Sequence, residues 1–547
     1  MKVVAQRQRC LNTRRVQNWI ALALVAFFVI FGVLSVQKVS ETWDEGLHYK
    51  YGMQILNLRS NRFDDSKMPV TALNALPKKI ASYLPNGAIN NFLSEFFTAR
   101  LMTILFSALV AYVVFHWARE LYGFYAGFAA LVLYIFDPNI IANSQLVTTD
   151  IYVTGTILFA TYGIWKFANT RRVRDGALSA FTLGLSEIAK YTSIVLLPLF
   201  AFELVLHDLP AQISAYKERG LKAIGKYIGQ LALYVVVGCL YIFLIVNVAF
   251  LFNRTFVPLN QYVFQSHFFR RLQNVPVVQN LRMPFPYPYL QGLDRTVNNE
   301  LTGKSFGNIY LLGQIRSGHG FAGYYFVASA LKVPIATLLV IVIAIIVYIV
   351  GRQRRKTFLQ NEVFLFVPAL FYTIYFNFFY DAQIGFRYYM VVFPLLYVFT
   401  GSLFSNWPEF SRKQKAAVFA LAVYLIVSIL SYYPFYLSYF NEIVWDRKYA
   451  YKYLADSNLD WGQGQYYLAD YLATHPNAIY TPSGVTSGEV IIGASDLVGV
   501  TTWGNPDKYK WLRDNFQPTN VIAYEYLVFD ITPQQLQQLC STTSYCH

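Results

Sequence analysis

Apolar runs close to the length that spans about 30 Å of hydrocarbon recur along this chain, and that recurrence limits its fold more than any single motif does. The first extends from Trp19 to about Val36. Others begin near Phe96, Phe124, Ile151, Ala177, Tyr191, Ile228, Gly323, Val363, Tyr388 and Ala416, which makes about eleven spans. With 55% hydrophobic and only 14% charged residues over 547 positions, a soluble chain would need several separate cores instead. The sequence therefore predicts an α-helical polytopic membrane protein, with the lipid bilayer as its first partner. Its 43 Tyr and 45 Phe suit helices that meet headgroups and line a polar cavity.

The net charge of +15 is decided by position. Basic residues cluster between apolar runs: Arg7, Arg9, Arg14 and Arg15; Arg171, Arg172 and Arg174; Lys217, Arg219, Lys222 and Lys226; Arg352, Arg354, Arg355 and Lys356; Arg412, Lys413 and Lys415. This is the positive-inside pattern, so the expectation is a multi-pass plasma (bacterial inner) membrane protein with no nucleic-acid partner. The first run follows a basic N-terminus without an A-x-A-like site after it, and is read as a retained helix. Threading the spans from a cytoplasmic N-terminus puts every basic cluster inside, and an odd count leaves the C-terminus outside.

Three long segments then face outward: Gln37 to Glu95, Leu251 to Ala322, and Tyr433 to His547. The last mixes Gly, Pro and polar residues with β-like runs such as Val490-Ile491-Ile492 and Val521-Ile522-Ala523, which predicts a small mixed α/β domain over residues 433–547 following a transmembrane domain over 1–432. Cys540 and Cys546 stand close enough in sequence to form a small-loop disulfide in an oxidising compartment.

The most informative stretch follows the first run: Glu41-Thr42-Trp43-Asp44-Glu45-Gly46-Leu47-His48-Tyr49. Adjacent carboxylates at a membrane boundary are costly unless solvated or used. The bland alternative is an exposed acidic turn. Further segments stand out: Leu146-Val147-Thr148-Thr149-Asp150, Gly184 through Thr192, Ile384-Gly385-Phe386-Arg387-Tyr388-Tyr389, Tyr439-Phe440-Asn441-Glu442, and Asp456 through Gln463. In their order and predicted side these resemble the GT-C glycosyltransferases, specifically the glycosyltransferase family 39 and protein O-mannosyltransferase-like group, which is related to the lipid A aminoarabinose transferases.

The resemblance implies a GT-C fold and an inverting transfer of a sugar from a polyprenyl-phosphate-linked donor to a hydroxyl acceptor outside the membrane. One carboxylate must take the hydroxyl proton opposite the departing phosphate. Asp44 is the candidate base, Glu45 orients the loop or the sugar, and Asp150 is either a second acidic contact or a helix N-cap. The leaving phosphate calls for cations. By resemblance these are Lys67, ahead of Met68-Pro69-Val70, and Arg270 or Arg271 in Ser266-His267-Phe268-Phe269-Arg270-Arg271; Lys190 and Arg387 are weaker candidates. Each could equally be a snorkelling interfacial residue. His48, four residues after Asp44, either touches the ligand or is simply packed.

No cofactor is expected. A divalent cation held by Asp44 with Asp150 is the less favoured alternative, since the seven His show no close pair at a ligand spacing. Gly313 through Gly320 lacks the Lys-Ser/Thr of a phosphate-binding loop. The competing readings are a transporter or flippase, which would show paired broken helices in two related halves, a non-catalytic scaffold, and an oligosaccharyltransferase using a diphosphate carrier. For the last, Asp460-Trp461-Gly462 is only a poor match to the expected acceptor motif.

Overall fold

The computed structural model describes residues 2–59, 67–302, 307–351, 357–502 and 504–546, with the backbone alone for residues 2–13. The side chains of Arg7, Arg9 and Cys10, and all of Arg352, Arg354, Arg355 and Lys356, lie outside the described residues.

All eleven apolar runs fall on helix, from Lys2–Val36 to Arg412–Leu430. Among the described residues, six helices are long and apolar enough to cross a membrane, or up to eight if each of two bent pairs counts as one span. The difference from eleven has physical causes. Helix Asp150–Thr170 is buried along most of its length and carries Thr154, Thr156 and Thr161 inside the protein. A helix that faces other helices need not be apolar all round. Helices Val173–Glu187 and Val363–Phe378 are short, at 15 and 16 residues.

Prolines break two runs. Pro138, which cannot donate a backbone hydrogen bond, starts a new helix 64° away from Phe124–Ile135. Asp137 caps that helix by accepting from Asn139 N at 2.7 Å and Ile140 N at 3.3 Å. Pro334 separates Tyr324–Lys332 from Ile335–Val350, bent by 118°. The carbonyls freed at that break, Ala330 O and Val333 O, accept from Asn441 Nδ2 at 2.6 and 2.7 Å. A broken helix at membrane depth requires such partners. The polar Tyr439-to-Glu442 motif thus serves, in part, to close a helix end.

The segment Phe386–Phe404 is the centre of the bundle, 83% buried, whereas Leu221–Ala249 and Arg412–Leu430 lie at its periphery. Beyond the last apolar helix, Arg412–Leu430, a four-stranded sheet runs Ile479–Tyr480, Gly488–Gly493, Tyr526–Ile531, Asn520–Ile522 in spatial order, the first pair parallel and the others antiparallel. Both predicted β-like runs are strands, although Ala523 already turns away at φ 53°. Cys540 and Cys546 are joined by a disulfide. The glycine-rich 313–320 stretch belongs to a hairpin of Asn308–Leu311 with Gln314–Ser317, turned at Leu312 and Gly313, both with positive φ.

Candidate active site

Glu45 opens the helix Glu45–Leu56 and is fully buried. It accepts from Arg100 Nε at 2.8 Å and Nη2 at 2.5 Å, and from the backbone of Thr42 and Val147, each at 2.9 Å. Arg100 spends its remaining donors on Val39 O and Ser40 O. This carboxylate therefore fixes the loop from Val36 to Asp44. Its oxygens are already occupied, which leaves it a positioning role.

Asp44, one residue earlier, is different: its side chain is 32% exposed. Arg387 Nη1 stands 3.5 Å from one oxygen and Lys67 Nζ 3.8 Å from the other. Both separations exceed a direct N–H···O bond, so the cations flank Asp44 without being spent on it. Burial alone would raise its pKa, but Arg387 and then Lys67 hold it below the usual aspartate value. Asp44 is thus ionised.

Asp150 receives Lys190 Nζ at 2.8 Å and lies 3.7 Å from Arg387 Nη1. It is the first residue of its helix, and Thr149, not Asp150, occupies the cap position. Capping is therefore not its role. Lys190 also lies over the Tyr388 ring at 3.8 Å. His48 is buried and its pKa is pushed down to about 3, chiefly by burial and then by Lys67. It is neutral, and its Nδ1 has no hydrogen-bond partner among the described residues, as is true of Arg387 Nε. Orphaned buried polar atoms beside an ionised, partly exposed carboxylate mark a place where a polar ligand can complete the network.

Arg270 and Arg271 are not part of this cluster. Both are exposed, and Arg270 Nε donates to Phe264 O at 2.9 Å. Neither pairs with a carboxylate among the described residues.

The Asp456-to-Gln463 stretch forms one wall. Trp461 stacks beneath Arg387, 3.8 Å from guanidinium carbon to ring centre. Asn458 Oδ1 accepts from Phe386 N at 2.8 Å, and Lys332, buried, donates to Asn458 O and Leu437 O. The backbone then docks on the first loop: Ser40 N donates to Gln463 O at 3.0 Å and Trp43 N to Trp461 O at 3.3 Å. Gly462 sits at φ 93°, where a Cβ would come within 3.1 Å of Trp43 Nε1. Gly462→Ala should therefore lower stability by about 1–2 kcal/mol, read by thermal unfolding, from the left-handed conformation alone.

Residues 81–237 match the family model of the dolichyl-phosphate-mannose-protein mannosyltransferases. The resemblance to the GT-C glycosyltransferases holds. The matched GT-C stretch includes Arg100, Asp150 and Lys190; Asp44, Arg387 and the C-terminal wall lie outside it. No curated protein sequence matches the chain. Among solved structures, it is similar to ArnT from Cupriavidus metallidurans bound to undecaprenyl phosphate, with 14% identity, 77% of this chain and 68% of that chain covered, and a TM-score of 0.48. It is also similar to the archaeal oligosaccharyltransferase AglB from Archaeoglobus fulgidus in complex with an inhibitory peptide and a dolichol-phosphate, with 14% identity, coverage of 83% and 60%, and a TM-score of 0.47.

Two features of the site escaped the sequence reading. One is the placement of Arg387 and Lys190, ranked behind Arg270: Arg387 reaches both aspartates and Lys190 pairs with Asp150. The other is Asp456, whose backbone lies in the left-handed region at φ 57° and whose Oδ1 accepts from Ser457 N at 2.6 Å. Burial raises its pKa from 3.8 to about 7, against the pull of Ser457 N and Arg387. A carboxyl raised in the folded state contributes stability that is fully present below about pH 4 and lost as pH rises through about 7. Thermal stability should fall across that window, and Asp456→Asn should flatten the fall. Among the described residues, no group of three or more His, Cys, Asp or Glu side chains could hold a metal ion.

Proposed function

We propose that this protein is an inverting glycosyltransferase that moves a sugar from a polyprenyl-phosphate carrier to a hydroxyl acceptor on the extracytoplasmic face of a bacterial inner membrane. The observation that carries the reading is Asp44, ionised and partly exposed, flanked at 3.5 and 3.8 Å by Arg387 and Lys67. The acceptor oxygen bonds to the anomeric carbon, the acceptor proton passes to Asp44, and the carbon–oxygen bond to the phosphate breaks with its electron pair leaving on the carrier. Arg387 and Lys67 bind the phosphate oxygens as that charge builds. Lys190 holds Asp150 toward the same guanidinium, and His48 Nδ1 accepts from a sugar hydroxyl. Arg270 and Arg271 are left out of this assignment, and no metal ion is part of it. The mannosyltransferase family model over residues 81–237 supports both the chemistry and a carrier of the polyprenyl-phosphate class.

A transporter is the second reading, because two helix pairs are broken. The breaks are unlike, at 64° and 118°. Side chains of the protein itself fill both, Asp137 at one and Asn441 at the other. The deciding experiment incubates the purified protein in nanodiscs with a panel of polyprenyl-phosphate sugars and membranes of the source cell. Consumption of at least one donor, absent in Asp44→Asn, is the expected outcome; no turnover with any donor would overturn the reading.

A further inference from the structure

The segment from Leu251 to Arg282 contains four arginines, Arg254, Arg270, Arg271 and Arg282, and no Asp or Glu. All four are exposed, and none pairs with a carboxylate among the described residues. The same stretch exposes large apolar side chains: Val277 at 88%, Val263 at 70% and Phe268 at 62%, with Phe252, Phe256 and Leu281 beside them.

This is not a loose loop that exposes apolar groups for want of structure. The chain folds back on itself through Phe256 N to Met283 O, Leu259 N to Leu281 O and Asn260 N to Gln279 O, at 2.9 to 3.1 Å. Gln273 Nε2 ties Leu259 O to Tyr262 O. The segment has its own core, in which Tyr262 stacks on Phe264 and on Tyr287, and Leu259 and Phe269 are buried. In the short helix His267–Gln273, Phe269 turns inward, while Phe268 and Arg271, three residues apart, are both exposed. The sequence had apolar residues enough to fill the core and leaves seven more outside it, Val275 among them.

Position identifies what covers them. The segment begins two residues after the helix Leu221–Ala249, one of the membrane-crossing candidates. It is held against that helix end by Thr255 Oγ1 donating to Asn247 Oδ1 at 2.6 Å, and just past its end Asn247 Nδ2 donates to Pro284 O at 2.9 Å. Just beyond it, Tyr289 donates to Glu187, three residues before Lys190, so the segment lies at the end of the bundle where the Asp44 cluster is. Aromatic and aliphatic side chains mixed with arginines that meet no carboxylate among the described residues, at the level where a span leaves the hydrocarbon, match a bilayer interface with anionic headgroups.

We infer that residues 251–282 form an interfacial anchor: Phe252, Phe256, Val263, Phe268, Val277 and Leu281 enter the headgroup–acyl boundary, and Arg254, Arg270, Arg271 and Arg282 bind the phosphates of anionic phospholipids. The anchor depends on the membrane fold and not on the transferase reading.

The test uses the full chain with Cys10 and Cys239 changed to Ala, and a bimane fluorophore on Val277→Cys or Phe268→Cys. Lys508→Cys, in the C-terminal domain, is the control. In nanodiscs containing phosphatidylglycerol and a headgroup nitroxide lipid, both anchor positions should lose at least about twofold more fluorescence than the control. The excess should shrink in phosphatidylcholine alone and in the variant with all four arginines changed to Gln. Quenching equal to the control, or by aqueous iodide as strongly as at the control, would overturn the anchor. Protection from both quenchers would also overturn it, since a protein partner or second copy would then cover the patch.

Discussion

Asp44→Asn should leave the protein folded and able to bind its donor while lowering sugar transfer by about 10²–10⁴-fold, the usual contribution of a positioned general base. The amide keeps the shape of the carboxylate and loses its basicity. Donor affinity should hold or tighten, because the substitution removes a negative charge from beside a phosphate site. The ion pairs lost are at 3.5 and 3.8 Å, too long to be the loop's main support, so thermal stability should change little. Single-turnover transfer with bound donor reads the chemical step; a rate within about tenfold of the native protein would remove Asp44 from the role of base. A transporter with an acidic loop would not separate binding from turnover in this way.

The second large effect falls on stability. Arg100→Ala or Glu45→Ala leaves the other charge buried without its partner, a change that costs about 3–5 kcal/mol for pairs of this kind. The Glu45 oxygens also hold Thr42 N and Val147 N, so the loop bearing Asp44 should loosen with the pair. A sharp drop in thermal stability by fluorescence-detected size exclusion is the expected readout, with transfer lost even at temperatures where the protein remains folded. The double substitution to Met at both positions should recover part of the stability, because no lone charge is then buried. If the double variant is as unstable as the sum of the singles, the two residues are not coupled as their 2.5 Å contact implies.

Much of this was legible in the chain because hydrocarbon imposes a length and an apolar composition on whatever crosses it. Each of the eleven runs is helical, and Val490-Ile491-Ile492 is a strand. The count of clean spans was less legible, because Pro138 and Pro334 bend helices whose composition gives no sign of the angle, and because Asp150–Thr170 is polar where protein, not lipid, surrounds it. At the site, adjacency in sequence drew attention to Asp44, Glu45 and His48. The ranking of cations was less readable: Arg387 and Lys190 reach the aspartates through helix packing that no local pattern encodes, whereas Arg270, in a short motif match, faces away. The Asp456-to-Gln463 stretch stood out as a motif, yet its contact with Arg387 depends on a fold-back that only three dimensions reveal.

The hydrogen bond from Gln465 N to Ser40 Oγ joins positions 425 residues apart. During synthesis the loop carrying Asp44 leaves the ribosome early, while the segment that closes over it emerges roughly 20–80 s later at ordinary elongation rates. A nascent chain therefore presents a charged loop with neither its wall nor Arg387 in place, and a product truncated before Asp456 would lack that wall altogether. Completion of the chain is itself the step that brings these charges together, so the order of translation sets when the cluster first exists.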